Sequence, residues 1–133
     1  MARILIVDDD EAVLTAISVL LKAEGHTIAT ARDGFEGAKR LRIEPSDLVL
    51  TDIVMPRCEG LETIVALRRD FPEVGIIAMS GAGIGSDIYL AAGARLGAHC
   101  TLSKPFTSAE LINSISVALK KRRVTASRAG TIQ

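Results

Sequence analysis

The chain has 133 residues, with 16 Lys plus Arg balanced by 16 Asp plus Glu, so its formal net charge is zero. That length suits one domain with a real core, and neutrality removes any global argument for nucleic acid or an anionic membrane as partner. No apolar run approaches the ~20 residues of a membrane span. Met1-Ala2-Arg3 leads straight into a strand rather than a signal peptide, and Cys58 and Cys100 show no metal-ligand spacing. The expectation is a cytoplasmic chain with no membrane contact.

In chain order, Ile4-Leu5-Ile6-Val7 reads as a buried strand that ends in Asp8-Asp9-Asp10. Asp10 is placed to cap a helix from Glu11 to Ala23, with Val13, Ile17, Leu20 and Leu21 as its apolar stripe and Gly25 as its stop. Thr27 to Ala31 is a second strand. Asp33-Gly34-Phe35-Glu36 has capping-box spacing and opens a helix to about Arg42. Pro45 precedes the third strand, Leu48-Val49-Leu50-Thr51-Asp52, and Pro56 ends the extended stretch. Leu61, Ile64 and Val65 mark a third helix, ending near Phe71-Pro72. Ile76 to Met79 is a fourth strand that reaches Ser80-Gly81. A Gly-rich segment, Gly81 to Gly85, leads to a weak Ala-rich helix from about Asp87. Thr101-Leu102-Ser103 is a short fifth strand before Lys104-Pro105. Thr107 to Glu110 is a second capping box, whose helix carries Leu111, Ile112, Ile115 and Leu119. The domain is expected over residues 1–121, with a polar, flexible tail over 122–133.

Five strands alternating with five helices predict a parallel sheet with helices on both faces, in the doubly wound, flavodoxin-like (βα)₅ order 2-1-3-4-5. In that order Asp8 and Asp9 end strand 1, Asp52 ends strand 3, Ser80 ends strand 4 and Lys104 ends strand 5. All five then meet at the carboxyl rim, where open α/β sheets bind ligands. Crowded carboxylates repel unless a cation intervenes. Oxygen donors without a nearby His or Cys select a hard cation, and Mg²⁺ leaves room for phosphate oxygens. Asp52 is then a carboxylate nucleophile suited to forming an aspartyl-phosphate, with Lys104 and the Ser80 hydroxyl facing the phosphoryl oxygens.

From Arg3 to about Lys121 the sequence resembles a response-regulator receiver domain of two-component signalling. The resemblance rests on Asp8-Asp9 after the first strand, on Asp47 to Asp52 continuing through Ile53-Val54-Met55-Pro56, and on Gly60, Ser80-Gly81, Gly97-Ala98 and Lys104-Pro105-Phe106. It implies Asp52 as phosphoacceptor and Mg²⁺ held by Asp9, Asp52 and the Val54 backbone carbonyl, with Asp8 acting chiefly through metal-bound water. It also implies Ser80 as the hydroxyl switch, Lys104 as the phosphoryl contact, and a histidine kinase or histidine phosphotransfer domain as donor. A downstream protein target would read the change, with no nucleic acid contact, in a monomer or weak dimer of single-domain type. Two departures bear on the switch. Thr101 stands three before the Lys, where an aromatic residue is common, and the segment after Ser80 is unusually Gly-rich.

Two other function classes fit parts of the sequence. A receiver-like module that works without phosphorylation should lack an acid or the Lys, and none is missing. A Mg²⁺-dependent hydrolase of the haloacid-dehalogenase type would use Asp8-x-Asp10, but Ala12 stands where Thr or Val is expected. A P-loop enzyme is excluded by the absence of G-x-x-x-x-G-K-[ST]. Several residues read as structural. His26 and His99 precede strands 2 and 5, on the rim opposite the acids. Cys58 and Cys100 lie on opposite rims, beyond the α-carbon separation of about 7 Å that a disulfide tolerates. Tyr89 reads as a half-buried helix residue, and Lys120 to Arg123 as cations complementing a helix C-terminus.

Overall fold

Continuous apolar strands belong in a sheet covered on both faces. The computed structural model describes residues 1–53, 60–81 and 86–122. They form β1 (Arg3–Val7), α1 (Glu11–Ala23), β2 (Thr27–Ala31), α2 (Gly34–Ile43), β3 (Leu48–Asp52), α3 (Gly60–Asp70), β4 (Gly75–Ser80), α4 (Ser86–Leu96), β5 (Cys100–Ser103) and α5 (Ser108–Lys121). All strand pairs are parallel and their order is β2-β1-β3-β4-β5, the order the sequence predicts.

Side-chain alternation splits each apolar run between two cores. Ile4 and Ile6 of β1, Leu48 and Leu50 of β3, and Ile77 and Met79 of β4 pack with Leu14, Ile17 and Leu21 of α1 and Leu111, Ile115 and Ala118 of α5. Leu5, Val7, Val49, Ile76 and Ala78 face the other way, onto Leu41 of α2 and Ile64 and Leu67 of α3. Each large side chain fully buried in this way is worth about 1.5–3 kcal/mol. Leu14 and Ala118 are core residues that the predicted stripes omit. Val65, predicted to mark the inner face of α3, is 42% exposed instead, because Thr63, Ile64 and Leu67 take that face. Tyr89, at 42% exposure, lies further out than the half-buried position expected of it.

The caps follow the sequence with one difference. Asp10 Oδ1 accepts from the Ala12 and Val13 N–H groups at 2.9 and 3.4 Å, and Thr107 forms a complete capping box with Glu110. Asp33 accepts from the Glu36 N–H as predicted, but the Glu36 carboxylate returns to the N–H of Arg32 rather than to that of Asp33. Gly25 stops α1 at φ +96°.

The two histidines extend the sheet at its amino rim. His26 Nδ1 accepts from the Ala2 N–H at 3.1 Å and His99 Nδ1 from the Ile76 N–H at 3.0 Å. Nearby, the Asp47 carboxylate accepts from the Arg3 N–H and from the guanidinium of Arg122, at 2.9 and 3.1 Å. Arg122, taken from sequence as the first residue of a tail, is thus tied to the loop before β3. Cys58 and residues 123–133 lie outside the described residues.

Candidate functional site

β1 and β3 are neighbours, and their last side chains meet at the carboxyl rim. Asp8, the residue after β1, is fully buried. Its Oδ1 accepts from the Asp10 N–H at 2.9 Å, and its Oδ2 accepts from Lys104 Nζ at 2.9 Å. Asp52, the last residue of β3, is 7% exposed, and its Oδ2 lies 3.5 Å from the same ammonium. Asp9 is exposed beside them. One carboxylate oxygen from each of Asp8, Asp9 and Asp52 falls within 4.8 Å of the others. Three anionic oxygen donors so close together, with no nitrogen or sulfur among them, fit a small hard cation such as Mg²⁺. Val54, whose carbonyl the resemblance adds to the set, lies outside the described residues.

Lys104 is the charge that balances this cluster. Burial disfavours its ammonium, but the hydrogen bond to Asp8 and the charges of Asp52 and Asp8 outweigh that, so its pKa stands above the ordinary lysine value. Its backbone is also fixed, since the Lys104 N–H donates to the Ser80 carbonyl at 2.7 Å. Ser80 is 1% exposed, and among the described residues its hydroxyl makes only a long 3.5 Å bond, to the Gly81 carbonyl. Gly81 is exposed, and a Cβ built on it would meet no atom within 4 Å. Thr101 is exposed on β5. Gly83 and Gly85 lie outside the described residues.

Two glycines sit at close approaches of the backbone, Gly60 beside this rim and Gly97 at the opposite, amino rim before β5. The Gly60 N–H donates to the Ile53 carbonyl at 2.8 Å, and a Cβ there would overlap Ile53 backbone atoms, so only glycine lets α3 begin this close to β3. Gly97, at φ +133°, lies under the Arg68 side chain. The sequence names Asp8, Asp9, Asp52, Ser80 and Lys104, and the fold brings all five to one rim. The additional contact is the Asp10 backbone N–H, which occupies one oxygen of Asp8. Cap spacing signals that Asp10 starts a helix, but not that its amide turns back toward Asp8.

A family model described as "Response regulator receiver domain" matches residues 4–116. The chain belongs to the response-regulator receiver family. It is 36% identical over 121 residues to the transcriptional regulatory protein CpxR homolog of Haemophilus influenzae, covering 91% of this chain and 52% of that protein. It is 30% identical over 124 residues to the alkaline phosphatase synthesis transcriptional regulatory protein PhoP of Bacillus subtilis, covering 93% and 51%. The receiver chain thus spans about half the length of these relatives. Among solved structures, a receiver domain protein from Clostridium thermocellum superposes with a TM-score of 0.82 at 28% identity, covering 91% of this chain and 96% of that one. A CheY-like receiver domain protein from Methanospirillum hungatei gives 0.81 at 30% identity, covering 91% and 95%. Receiver domains are signalling regulators rather than ordinary enzymes. Among the described residues, no helix is long and apolar enough to cross a membrane.

Proposed function

We propose that this receiver is a phosphoacceptor switch in which Asp52 takes a phosphoryl group from a phosphohistidine on a histidine kinase or histidine phosphotransfer domain. The reading is carried by the convergence of Asp8, Asp9, Asp52 and Lys104 at the carboxyl rim. An Asp52 carboxylate oxygen attacks phosphorus while the bond from phosphorus to the donor imidazole nitrogen breaks, and the departing imidazole takes a proton from solvent. Lys104 Nζ, 3.5 Å from Asp52 Oδ2, is within reach of an oxygen of the transferred group. The Ser80 hydroxyl, whose bond to the Gly81 carbonyl is long at 3.5 Å, can turn to donate to another. Asp8, Asp9, Asp52 and the Val54 carbonyl would hold Mg²⁺, which when bound supplies positive charge for the phosphoryl oxygens.

The altered surface would be read by a protein partner. The names of the CpxR-like and PhoP relatives point that response toward transcription, a direction that the neutral charge of this chain does not suggest. Within the receiver itself Arg122 is engaged by Asp47, so direct nucleic acid contact is not part of this reading. A cytoplasmic setting, where kinases present phosphohistidine, fits it.

The test is treatment with acetyl phosphate and Mg²⁺, followed by borohydride reduction and peptide mass spectrometry. The adduct should map to Asp52 and disappear in Asp52→Asn. Labelling that persists in that variant would overturn the assignment.

A further inference from the structure

Thr51 stands directly before Asp52 on β3 and is fully buried. Its strand partners are Val7 of β1 and Ala78 of β4, both buried in the second core. An apolar side chain suits such a position, and Val has nearly the shape of Thr. A hydroxyl taken out of water there costs free energy unless it is hydrogen-bonded. The Thr51 hydroxyl meets that need by donating to the main-chain carbonyl of Asp52 at 3.1 Å.

That carbonyl lies where the sheet runs out on one side. β1 and β3 last pair at Val7 and Thr51, whereas β3 and β4 pair one residue further, at Asp52 and Met79. The Ile53 N–H donates to the Met79 carbonyl of β4 at 2.8 Å. The N–H and C=O of a trans peptide point to opposite sides, so the Asp52 carbonyl faces β1, past its last pair. The Ile53 carbonyl, next along, accepts from the Gly60 N–H at the start of α3 at 2.8 Å. The main chain of Asp52 and Ile53 is thus held at three points, by β4, by α3 and by the Thr51 hydroxyl. Of these three holds, only the last comes from a side chain.

We infer that Thr51 is a positioning residue for the phosphoacceptor site. Its hydroxyl fixes the peptide plane that follows Asp52, and with it the direction of the Asp52 carboxylate and of the chain entering Val54. The inference rests on the proposed function, in which Asp52 and the Val54 carbonyl hold Mg²⁺. The Asp52 and Ile53 α-carbons are the two ends of that plane, so a rotation of it disturbs both donors together. Mg²⁺ demands near-ideal octahedral geometry at about 2.0–2.1 Å, so its affinity registers a small misplacement. Strand alternation puts the Thr51 side chain on the face opposite that of Asp52, with Val49 in the second core. Thr51 therefore acts through the backbone and touches neither metal nor phosphoryl group.

Three variants separate the hydroxyl from the volume it fills. Thr51→Val keeps the volume and loses the hydroxyl, Thr51→Ser keeps the hydroxyl and loses the methyl, and Thr51→Ala loses both. Each is measured by Mg²⁺ titration calorimetry and by the rate of acetyl phosphate labelling, with circular dichroism to confirm folding. Thr51→Val and Thr51→Ala should weaken Mg²⁺ binding roughly fivefold, about what one net hydrogen bond contributes, and slow labelling. Thr51→Ser should match the original chain. Amide exchange at Ile53 in EDTA should quicken in the two variants without a hydroxyl. The comparison of Thr51→Ser with Thr51→Ala carries the same contrast by itself. Unaltered Mg²⁺ affinity in Thr51→Val overturns the inference. So does a packing pattern, in which Thr51→Ser and Thr51→Ala fall together while Thr51→Val does not. An original chain that neither binds Mg²⁺ nor labels at Asp52 overturns the reading of the site and this inference with it, whereas the wrong pattern among the variants overturns the inference alone.

Discussion

Lys104 Nζ stands between two carboxylates from different strands, 2.9 Å from Asp8 Oδ2 and 3.5 Å from Asp52 Oδ2. The contact closes a loop of 96 residues between Asp8 and Lys104. It answers the crowding that the sequence alone implies, since a cation of the chain's own already sits among the acids.

Removing that cation should therefore cost stability most when no metal is present. Lys104→Met leaves buried Asp8 without its counter-charge, and a loss of about 1–3 kcal/mol in EDTA is expected for an orphaned buried partner. Saturating Mg²⁺ should recover part of it. Urea denaturation with and without Mg²⁺ measures both, and an equal loss in the two conditions would contradict this role.

Asp8 and Asp9 should behave differently although they are adjacent. Asp8 is buried and bonded at both oxygens, whereas Asp9 is exposed. Asp8→Ala should destabilise the metal-free fold by about 2 kcal/mol, because the Asp10 N–H and the Lys104 ammonium lose their acceptor. Asp9→Asn should leave stability in EDTA equal or higher, since it thins the like charge, while weakening Mg²⁺ in titration calorimetry. Unchanged Mg²⁺ affinity would remove Asp9 from the ligand set.

His99 gives the fold an acid sensitivity. Burial first, then the charges of Arg68 and Lys121, hold its pKa below the ordinary 6.5. Acceptance of the Ile76 N–H at Nδ1 also requires the neutral ring. With the folded pKa depressed, the unfolded chain binds the proton first. The stability this group contributes is thus full above 6.5 and is lost as the pH falls below that value toward the folded pKa. His99→Asn should flatten the slope of unfolding free energy against pH in that window. An unaltered slope would assign the acid loss elsewhere.

Glycine substitutions should separate packing from freedom. Gly60→Ala forces a methyl into the Ile53 backbone and should cost about 3 kcal/mol or more. Gly81→Ala meets open space, so its effect on the free protein should stay within about 0.5 kcal/mol. Thermal unfolding of the two variants side by side gives the comparison.

Activation should register at Ser80 and Gly81 rather than through a ring at position 101, since exposed Thr101 is too small to bury one. With beryllofluoride as phosphoryl mimic, hydrogen exchange should slow in peptides containing Gly81, and Ser80→Ala should abolish the change. Protection confined to β5 and α5 would point to a different route.

Periodicity and punctuation made most of this legible beforehand. Apolar runs ending in Asp8, Asp52, Ser80 and Lys104, with cap residues at Asp10, Asp33 and Thr107, set the strands, the helices and the rim, because local hydrogen bonding and side-chain alternation act over a few residues. Tertiary structure decided which apolar residues face inward, as with Leu14 and Ala118 in the core and Val65 outside it, since that depends on the angle at which each helix meets the sheet. It also decided that Lys104 bridges Asp8 and Asp52, that the Asp10 amide holds Asp8, and that Asp47 binds Arg122. Those contacts join residues far apart in the chain or turn on backbone direction, and no spacing rule encodes either.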